Sequence, residues 1–227
     1  MKNNKLNKVI VSLDITDKRK INSVVKDLTK YGVRYKIGAI PFVKFGPKYV
    51  AKLIDMGADV FVDLKLYDIP NTMAKTAAVI TEMGAWAFTV HVKAGNKALT
   101  LVSKEVKTVA NRLKKRKPLV LGVTELTSND ADINDVMQLV RQAADCGLDG
   151  VISSPWEAAG IKSFCKKNKK RLYVVTPGIR CAGDAAGDQK RVATASFAFK
   201  EGADYIVVGR SIIDKPDYVQ AAMALLK

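Results

Sequence analysis

Eight short apolar runs alternate with amphipathic segments along this chain of 227 residues. Continuous apolar strands that alternate with helical patterns are typical of a parallel sheet. No change of composition marks a linker between any two of the units. The predicted strands cover residues 9–15, 35–40, 60–66, 87–92, 119–126, 150–153, 172–175 and 205–208.

Eight strand–helix units in a chain of this length predict one closed (β/α)8 TIM barrel, a single domain over residues 1–227. A doubly wound open sheet is the alternative. Its dinucleotide-binding form requires G-x-G-x-x-G after the first strand, and that motif is absent there. The predicted helices cover residues 21–28, 50–57, 73–83, 98–113, 132–144, 157–165, 191–199 and 216–226.

The chain is strongly basic, with 38 Lys and Arg against 22 Asp and Glu and a formal net charge of +16. A nucleic-acid partner therefore has to be weighed. The densest basic runs, 114–117 and 166–171, contain no aromatic residue, and each ends a helical pattern, where cations favour the helix dipole. We expect no nucleic-acid partner, and a basic field that attracts a small anionic substrate.

The lengths of the apolar runs and the number of cysteines indicate in which cellular compartment the protein is expected. No run approaches the roughly 18 apolar residues that a membrane span requires, and Asp14 ends the first run too early for a signal peptide. Three cysteines, an odd number, show no metal-ligand spacing. These features predict a protein of the reducing cytoplasm with no membrane partner and no bound metal.

Charged residues lie at the carboxyl end of the third predicted strand. Asp63 and Lys65 point to the same side because side chains alternate along a strand, and Asp68 lies just beyond. Taken by itself, this pattern would be explained by a structural salt bridge at the end of a strand. Other polar residues also fall at predicted carboxyl ends of strands, where barrels carry their catalytic groups: Asp14, Lys36, His91, Glu125, Thr127 and Arg210. Their convergence predicts a functional site.

A second signal lies after the last two predicted strands. T-P-G-I-R at residues 176–180 and V-G-R-S at 208–211 combine glycine with arginine. Barrels often bind phosphate with these two loops, because glycine lets backbone N–H groups approach and arginine offers two parallel donors. Two ordinary turns with surface arginines are the alternative. The small-residue loop at 181–189 is long enough to cover a bound substrate.

The stretch D-L-K-L-Y-D-I-P-N-T at residues 63–72 resembles the D-x-K-x-x-D-I-x-x-T signature of the orotidine 5′-monophosphate decarboxylase family. The resemblance extends over essentially the whole chain, because further stretches match in the family's order. These are residues 11–14, 35–38, 89–91, 124–128, 176–180, 187–191 and 208–210. One departure is Ala94-Gly95, where bacterial members usually have a glycine pair.

The resemblance implies removal of CO₂ from C6 of the orotate ring, which yields UMP without a metal or organic cofactor. Lys65 resembles the family's proton donor to C6, and Asp63 the aspartate that sits against the substrate carboxylate. Lys36 resembles the lysine that pairs with this aspartate and reaches the ribose. Asp14 resembles the ribose-binding aspartate.

The resemblance also implies a homodimer with two shared active sites. Asp68 and Thr72 resemble residues that reach the neighbouring subunit's site, and Ile69 between them is expected to contact substrate. Thr127 or Ser128 would contact the pyrimidine. The expected phosphate and lid contacts are Pro177, Arg180, Gln189, Gly209 and Arg210.

Two other functions remain open. Mg²⁺-dependent sugar-phosphate decarboxylases and synthases of the same superfamily share D-x-K-x-x-D but lack the continuation at residues 69–72. A basic nucleic-acid-binding barrel protein would need its basic runs on one face with aromatic residues between them.

Overall fold

The computed structural model describes residues 5–126, 132–181 and 193–226. Eight parallel strands close in sequence order into a barrel, which confirms the predicted (β/α)8 fold. The strands are β1 (Val9–Ser12), β2 (Arg34–Gly38), β3 (Asp59–Leu66), β4 (Ala87–His91), β5 (Leu119–Val123), β6 (Gly150–Ile152), β7 (Tyr173–Thr176) and β8 (Tyr205–Val208).

Helices follow the strands and surround the barrel. They are α1 (Lys18–Leu28), α2 (Ala39–Asp55), α3 (Pro70–Glu82), α4 (Asn96–Leu113), α5 (Ile133–Asp145), α6 (Pro155–Lys167), α7 (Ala195–Lys200), α8 (Arg210–Ile213) and α9 (Tyr218–Ala224). Short 3₁₀ turns cover Lys5–Lys8, Thr29–Tyr31 and Val92–Ala94. Within the described ranges, none of the helices is long and apolar enough to cross a membrane.

Several helices begin where a side chain caps the free backbone N–H groups of their first turn. Asp17 accepts from two N–H groups at the start of α1, and Asp132 accepts from one at the start of α5. Ser154 and Glu157 form a reciprocal capping box at the start of α6. Such caps typically contribute about 1 kcal/mol each. They fix where α1, α5 and α6 begin.

Three helical segments differ most from the sequence prediction, and one of them is α7, which begins at Ala195 although a helix was predicted over residues 191–199. The predicted second helix begins at residue 50, but α2 begins at Ala39, directly after β2, and kinks at Gly46, whose φ is 72°. The four-residue helix α8 was not predicted. Strand bounds agree to within three residues: β1, β2 and β5 end two or three residues earlier than predicted, and β4 and β6 end one residue earlier.

The barrel interior has its own apolar cluster, which includes Ile10, Phe61, Leu121, Val175 and Val207. Phe61 and Val207 also line the cavity at the carboxyl end of the barrel, so this cluster forms the cavity floor. A larger cluster packs the outer faces of the strands against the helices.

The amino end of the barrel is closed by an arginine among aromatic rings. The Arg34 guanidinium lies 4.5 Å from the Trp86 ring centroid and 5.0 Å from that of Tyr205, and it pairs with Asp59 at 3.5 Å. Arg116 pairs with the other Asp59 oxygen at 2.6 Å. These contacts lie at the amino end of the barrel, whereas barrels carry their functional sites at the carboxyl end.

Candidate active site

A cavity of about 810 Å³ opens at the carboxyl ends of the strands. This volume is typical of a site for a small organic ligand. Eight of the predicted site residues line it: Asp14, Lys36, Asp63, Lys65, Pro177, Arg180, Gly209 and Arg210.

Four of these residues form a row of alternating charge across three strands. Lys36, in β2, forms ion pairs with Asp14 on one side and with Asp63, at 3.3 Å, on the other. The Lys65 ammonium lies 3.0 Å from both carboxylate oxygens of Asp63. The order is Asp14, Lys36, Asp63, Lys65, so each inner group has an opposite charge on both sides.

Asp14 is held by a side-chain hydroxyl of β1 and a backbone N–H of β2. Its carboxylate accepts the Ser12 hydroxyl at 2.7 Å and the Gly38 N–H at 3.0 Å. A Cβ on Gly38 would collide with the Asp14 carboxylate and come within 3.2 Å of the Lys36 ammonium. Only glycine at the end of β2 therefore lets this carboxylate approach Lys36.

Lys65 reaches Asp63 through an irregular stretch of β3. Its φ is 50°, a left-handed conformation that is uncommon outside glycine, asparagine and aspartate. The pairing of β3 with β4 shifts register between Val62 and Leu66. Sequence alternation correctly placed Asp63 and Lys65 on one side, but this departure from a regular strand was not predicted.

Opposing effects act on the ionisation of Asp63. Burial raises the pKa of its carboxyl, but the positive charges of Lys36 and Lys65, with hydrogen bonds from Lys65 and Thr89, outweigh it. The net result is a pKa below the ordinary value of 3.8, so Asp63 carries a negative charge at neutral pH. The site thus keeps an anionic carboxylate in a largely buried position.

The two arginines of the predicted phosphate loops line the opposite wall of the cavity. Arg180 is only 9% exposed, and its Nη1 donates to the Ile179 carbonyl at 3.1 Å. Arg210 begins α8, directly after Gly209. An anion in this part of the cavity would meet two guanidinium groups at the far end from Lys65.

His91 and Glu125 occupy the rim. Glu125 lines the cavity and pairs with Lys93. The His91 ring stacks on Tyr67, with centroids 5.3 Å apart. Burial, and then the charge of Lys93, lowers the pKa of the imidazole below 6.5. Its Nδ1 is buried and has no hydrogen-bond partner among the described residues.

Three predicted residues lie outside this cavity. Asp68, Ile69 and Thr72 are exposed, and none of them lines the cavity formed by the described part of the chain. The Asp68 carboxylate accepts the Ile69 N–H at 2.6 Å. Thr127, Ser128 and Gln189, with most of the predicted lid, lie outside the described residues.

Sequence reasoning missed the role of Thr89. Its hydroxyl accepts the backbone N–H of Lys65 at 2.8 Å and donates to Asp63 at 2.9 Å. A threonine in a strand is ordinarily interpreted as a β-branched residue that favours strands, so the sequence offered only its polarity in an apolar run.

The fold and site define a class, a (β/α)8-barrel enzyme with a charged cavity at the carboxyl ends of its strands. The chain belongs to the orotidine 5′-phosphate decarboxylase / HUMPS family, whose model matches residues 7–225.

Individual relatives agree with this assignment. An orotidine 5′-phosphate decarboxylase of Syntrophus aciditrophicus is 40% identical over 230 residues, which cover 96% of this chain and 90% of that protein. One from Syntrophomonas wolfei is 36% identical and covers 96% of both chains. A crystal structure of orotidine 5′-phosphate decarboxylase from Lactobacillus acidophilus, 30% identical, matches with a TM-score of 0.82 over 96% of both chains.

Proposed function

We propose that the chain, as one barrel domain of the cytoplasm, decarboxylates orotidine 5′-monophosphate to UMP in the final step of de novo pyrimidine synthesis. The observation that carries the proposal is the row Asp14, Lys36, Asp63 and Lys65 along one cavity. The names of the relatives support the same substrate.

The reaction needs a cation beside C6 of the pyrimidine. Loss of CO₂ leaves a carbanion whose lone pair lies in the ring plane, where the ring π-system cannot delocalise it. An ammonium next to this carbon stabilises the charge and supplies the proton. Lys65 suits this role because its ammonium is fixed by two contacts of 3.0 Å and still faces the cavity.

Asp63 acts on the other side of the bond that breaks. A carboxylate held beside the leaving carboxylate disfavours the ground state. At about 4 Å and an effective dielectric near 20, this repulsion is on the order of 4 kcal/mol. The charges of Lys36 and Lys65 keep Asp63 ionised, so the repulsion persists in the bound state.

The remaining groups orient the substrate. In this proposal Asp14 and Lys36 bind the ribose, while Pro177, Arg180, Gly209 and Arg210 bind the phosphate. Thr127 or Ser128 would contact the pyrimidine, and Gln189 the phosphate. Binding energy from the phosphate holds the reacting end in place, although the phosphate takes no part in the chemistry. No metal or organic cofactor enters this mechanism, because Lys36 and Lys65 neutralise the two carboxylates of the row.

We further propose that the active enzyme is a homodimer with shared sites. Tyr67 and Ile69 are 64% and 66% exposed, and Ile40 and Val43 of α2 are 56% and 83% exposed. Large apolar side chains at such exposure indicate a protein contact when they cluster. Asp68 lies between Tyr67 and Ile69, so a partner that covered these side chains would receive its carboxylate.

The test follows the loss of orotidine 5′-monophosphate absorbance by purified protein after dialysis against EDTA. We expect turnover that EDTA leaves unchanged and that added Mg²⁺ does not raise. A Lys65→Ala preparation, purified in the same way, is the matched control, because it reveals any decarboxylase carried over from the expression host.

The superfamily alternative is measured in parallel with 3-keto-L-gulonate 6-phosphate and a hexulose phosphate as substrates. Turnover of either compound with a strict Mg²⁺ requirement, and none of orotidine 5′-monophosphate, would contradict the proposal. It would place the chain among the sugar-phosphate enzymes of its superfamily.

A further inference from the structure

The pairing register of β3 with β4 shifts at the proposed catalytic residues, Asp63 and Lys65. Phe61 and Val62 pair with Ala87 and Phe88, and pairing resumes only at Leu66 with Val90. Three residues of β3, 63 to 65, therefore face a single residue of β4, Thr89. A regular ladder cannot satisfy the backbone groups of such an insertion, and a buried N–H without a partner is costly.

The Thr89 side chain takes the place of the missing ladder contact. Its hydroxyl accepts the Lys65 N–H at 2.8 Å, on the residue whose φ is 50°. The same hydroxyl donates to Oδ1 of Asp63 at 2.9 Å. A hydroxyl has one proton to donate, and here it is directed to the carboxylate. One buried side chain thus holds both the backbone of Lys65 and the carboxylate of Asp63.

Packing around Thr89 does not explain why this residue carries a hydroxyl group. Thr89 is 1% exposed, and Ala87, two residues earlier on the same face of β4, is fully buried in the apolar cluster of the barrel interior. Valine has nearly the same shape and favours strands equally. The hydroxyl is therefore explained by its two contacts, and both contacts are to residues of the charged row.

We infer that Thr89 is a positioning residue that sets the distance and orientation between the Asp63 carboxylate and the Lys65 ammonium. The inference rests on the proposed decarboxylation for its kinetic consequence, but the geometry it describes can be measured without turnover. Its physical basis is that small displacements of reacting groups are expensive, and a shift of about 1 Å can cost a factor of about 100 in rate.

The test compares Thr89→Val, which removes the hydroxyl, with Thr89→Ser, which keeps it. Thr81→Val is the matched control, because Thr81 is also fully buried and its hydroxyl donates to the Ala77 carbonyl in α3 at 2.7 Å, away from the cavity. We expect kcat to fall about 10-fold to 100-fold in Thr89→Val, while the dissociation constant for UMP changes by less than about threefold. Thr89→Ser should recover kcat to within about threefold of wild type, and Thr81→Val should keep it.

A second readout separates positioning from folding. The titration of the Asp63 carboxyl, followed by carbon NMR, should move to higher pH in Thr89→Val and stay in place in Thr89→Ser and Thr81→Val. The reason is that the hydroxyl donates to the charged form of Asp63 and so favours it. Should Thr89→Val fail to fold, Thr89→Cys replaces it with the same expected direction, because a thiol is a weak donor.

The outcomes distinguish the two proposals. Wild-type protein without orotidine 5′-monophosphate turnover would overturn the proposed function, and the Asp63 titration would still decide the role of Thr89. Wild-type kcat together with an unmoved Asp63 titration in Thr89→Val would overturn the positioning role alone. An equal loss of kcat in Thr89→Val and Thr89→Ser would also overturn it, because the hydroxyl would then not be the cause.

Discussion

Two neighbouring segments of the chain place their charged side chains in opposite environments. Residues 63–65, at the end of β3, bring their carboxylate and ammonium together and satisfy them with Lys36 and Thr89. Residues 67–72, directly after them, place Asp68 in solvent, with Tyr67 and Ile69 beside it. No ion pair within the described ranges involves Asp68.

The difference supports the proposal that a single chain completes only one half of the site. The first segment has its partners within the same barrel, so its geometry is fixed before any substrate or partner arrives. The second segment exposes apolar surface that water solvates poorly, and the Asp68 carboxylate accepts the N–H of the adjacent Ile69. In the proposed dimer we therefore assign this segment to the partner's site.

The largest expected effect is at the first segment. Lys65→Ala should lower kcat by at least about 1000-fold, because it removes both the cation beside C6 and the proton donor. Binding of UMP should change little. Turnover of orotidine 5′-monophosphate and calorimetric binding of UMP measure the two effects separately.

Lys117→Ala is the matched control for this substitution. Lys117 also forms an ion pair, with Asp149, but it lies before β5 at the amino end of the barrel. Its variant should keep wild-type kcat. If Lys65→Ala kept more than about a tenth of wild-type activity, a change in barrier of under about 1.4 kcal/mol, the assignment of Lys65 would be wrong.

An intermediate effect is expected at the second segment. Ile69→Lys should leave the stability of the folded chain within about 0.5 kcal/mol, because the side chain is exposed. It should weaken dimer association by at least about tenfold, since burying one isoleucine is worth roughly 1.5–3 kcal/mol. Sedimentation over a dilution series measures the association.

Met223→Lys is the control for this prediction, because Met223 of α9 is 45% exposed in a different part of the surface. It should leave association unchanged. A dimer that tolerates Ile69→Lys as well as Met223→Lys would remove the second segment from the interface.

The smallest effect concerns pH and returns to the first segment. The Asp63 carboxyl has a lower pKa in the folded chain than its ordinary 3.8, which it regains on unfolding. Its charge therefore contributes stability that is fully present above pH 3.8 and is lost as the pH falls through the folded pKa. We expect wild type to lose unfolding free energy relative to Asp63→Asn only below that pH, in paired denaturant titrations. If the unfolding free energy of wild type instead rose relative to that of Asp63→Asn as the pH falls, the sign of the pKa shift would be contradicted.

The sequence predicted the barrel well because short apolar strands and amphipathic helices are local patterns. Strand β8 has its predicted bounds, residues 205–208. The start of α2 was missed because Gly46 and Pro47 are ordinarily helix breakers, yet here they form a kink within one helical stretch. Helix α8 has only four residues, too few for a helical period to be detected.

The site was predictable where its residues are charged. Asp14, Lys36, Asp63 and Lys65 were found because buried strand ends rarely carry charges without a reason. The left-handed backbone at Lys65 and the role of the Thr89 hydroxyl could not be predicted, because both depend on the register shift between β3 and β4. Register is a property of two strands together, and neither strand alone encodes it.

The central claim is that one site combines the first segment of one chain with the second segment of its partner. Asp68→Ala and Lys65→Ala homodimers should each be almost inactive, because Asp68 is proposed to hold the partner's Lys65 ammonium in place by a charge-assisted hydrogen bond. When the two variants are mixed and exchange subunits, each hybrid dimer would carry one site with both lesions and one with neither.

Turnover of the exchanged mixture is the most direct measurement of this claim. With equal amounts and random pairing, about half of the dimers are hybrids, so about a quarter of all sites are intact. The account predicts recovery that approaches a quarter of wild-type activity from two almost inactive proteins. No recovery, with subunit exchange shown independently by mass-labelled chains, would mean that Asp68 and Lys65 serve the same chain's site and would contradict the shared-site account.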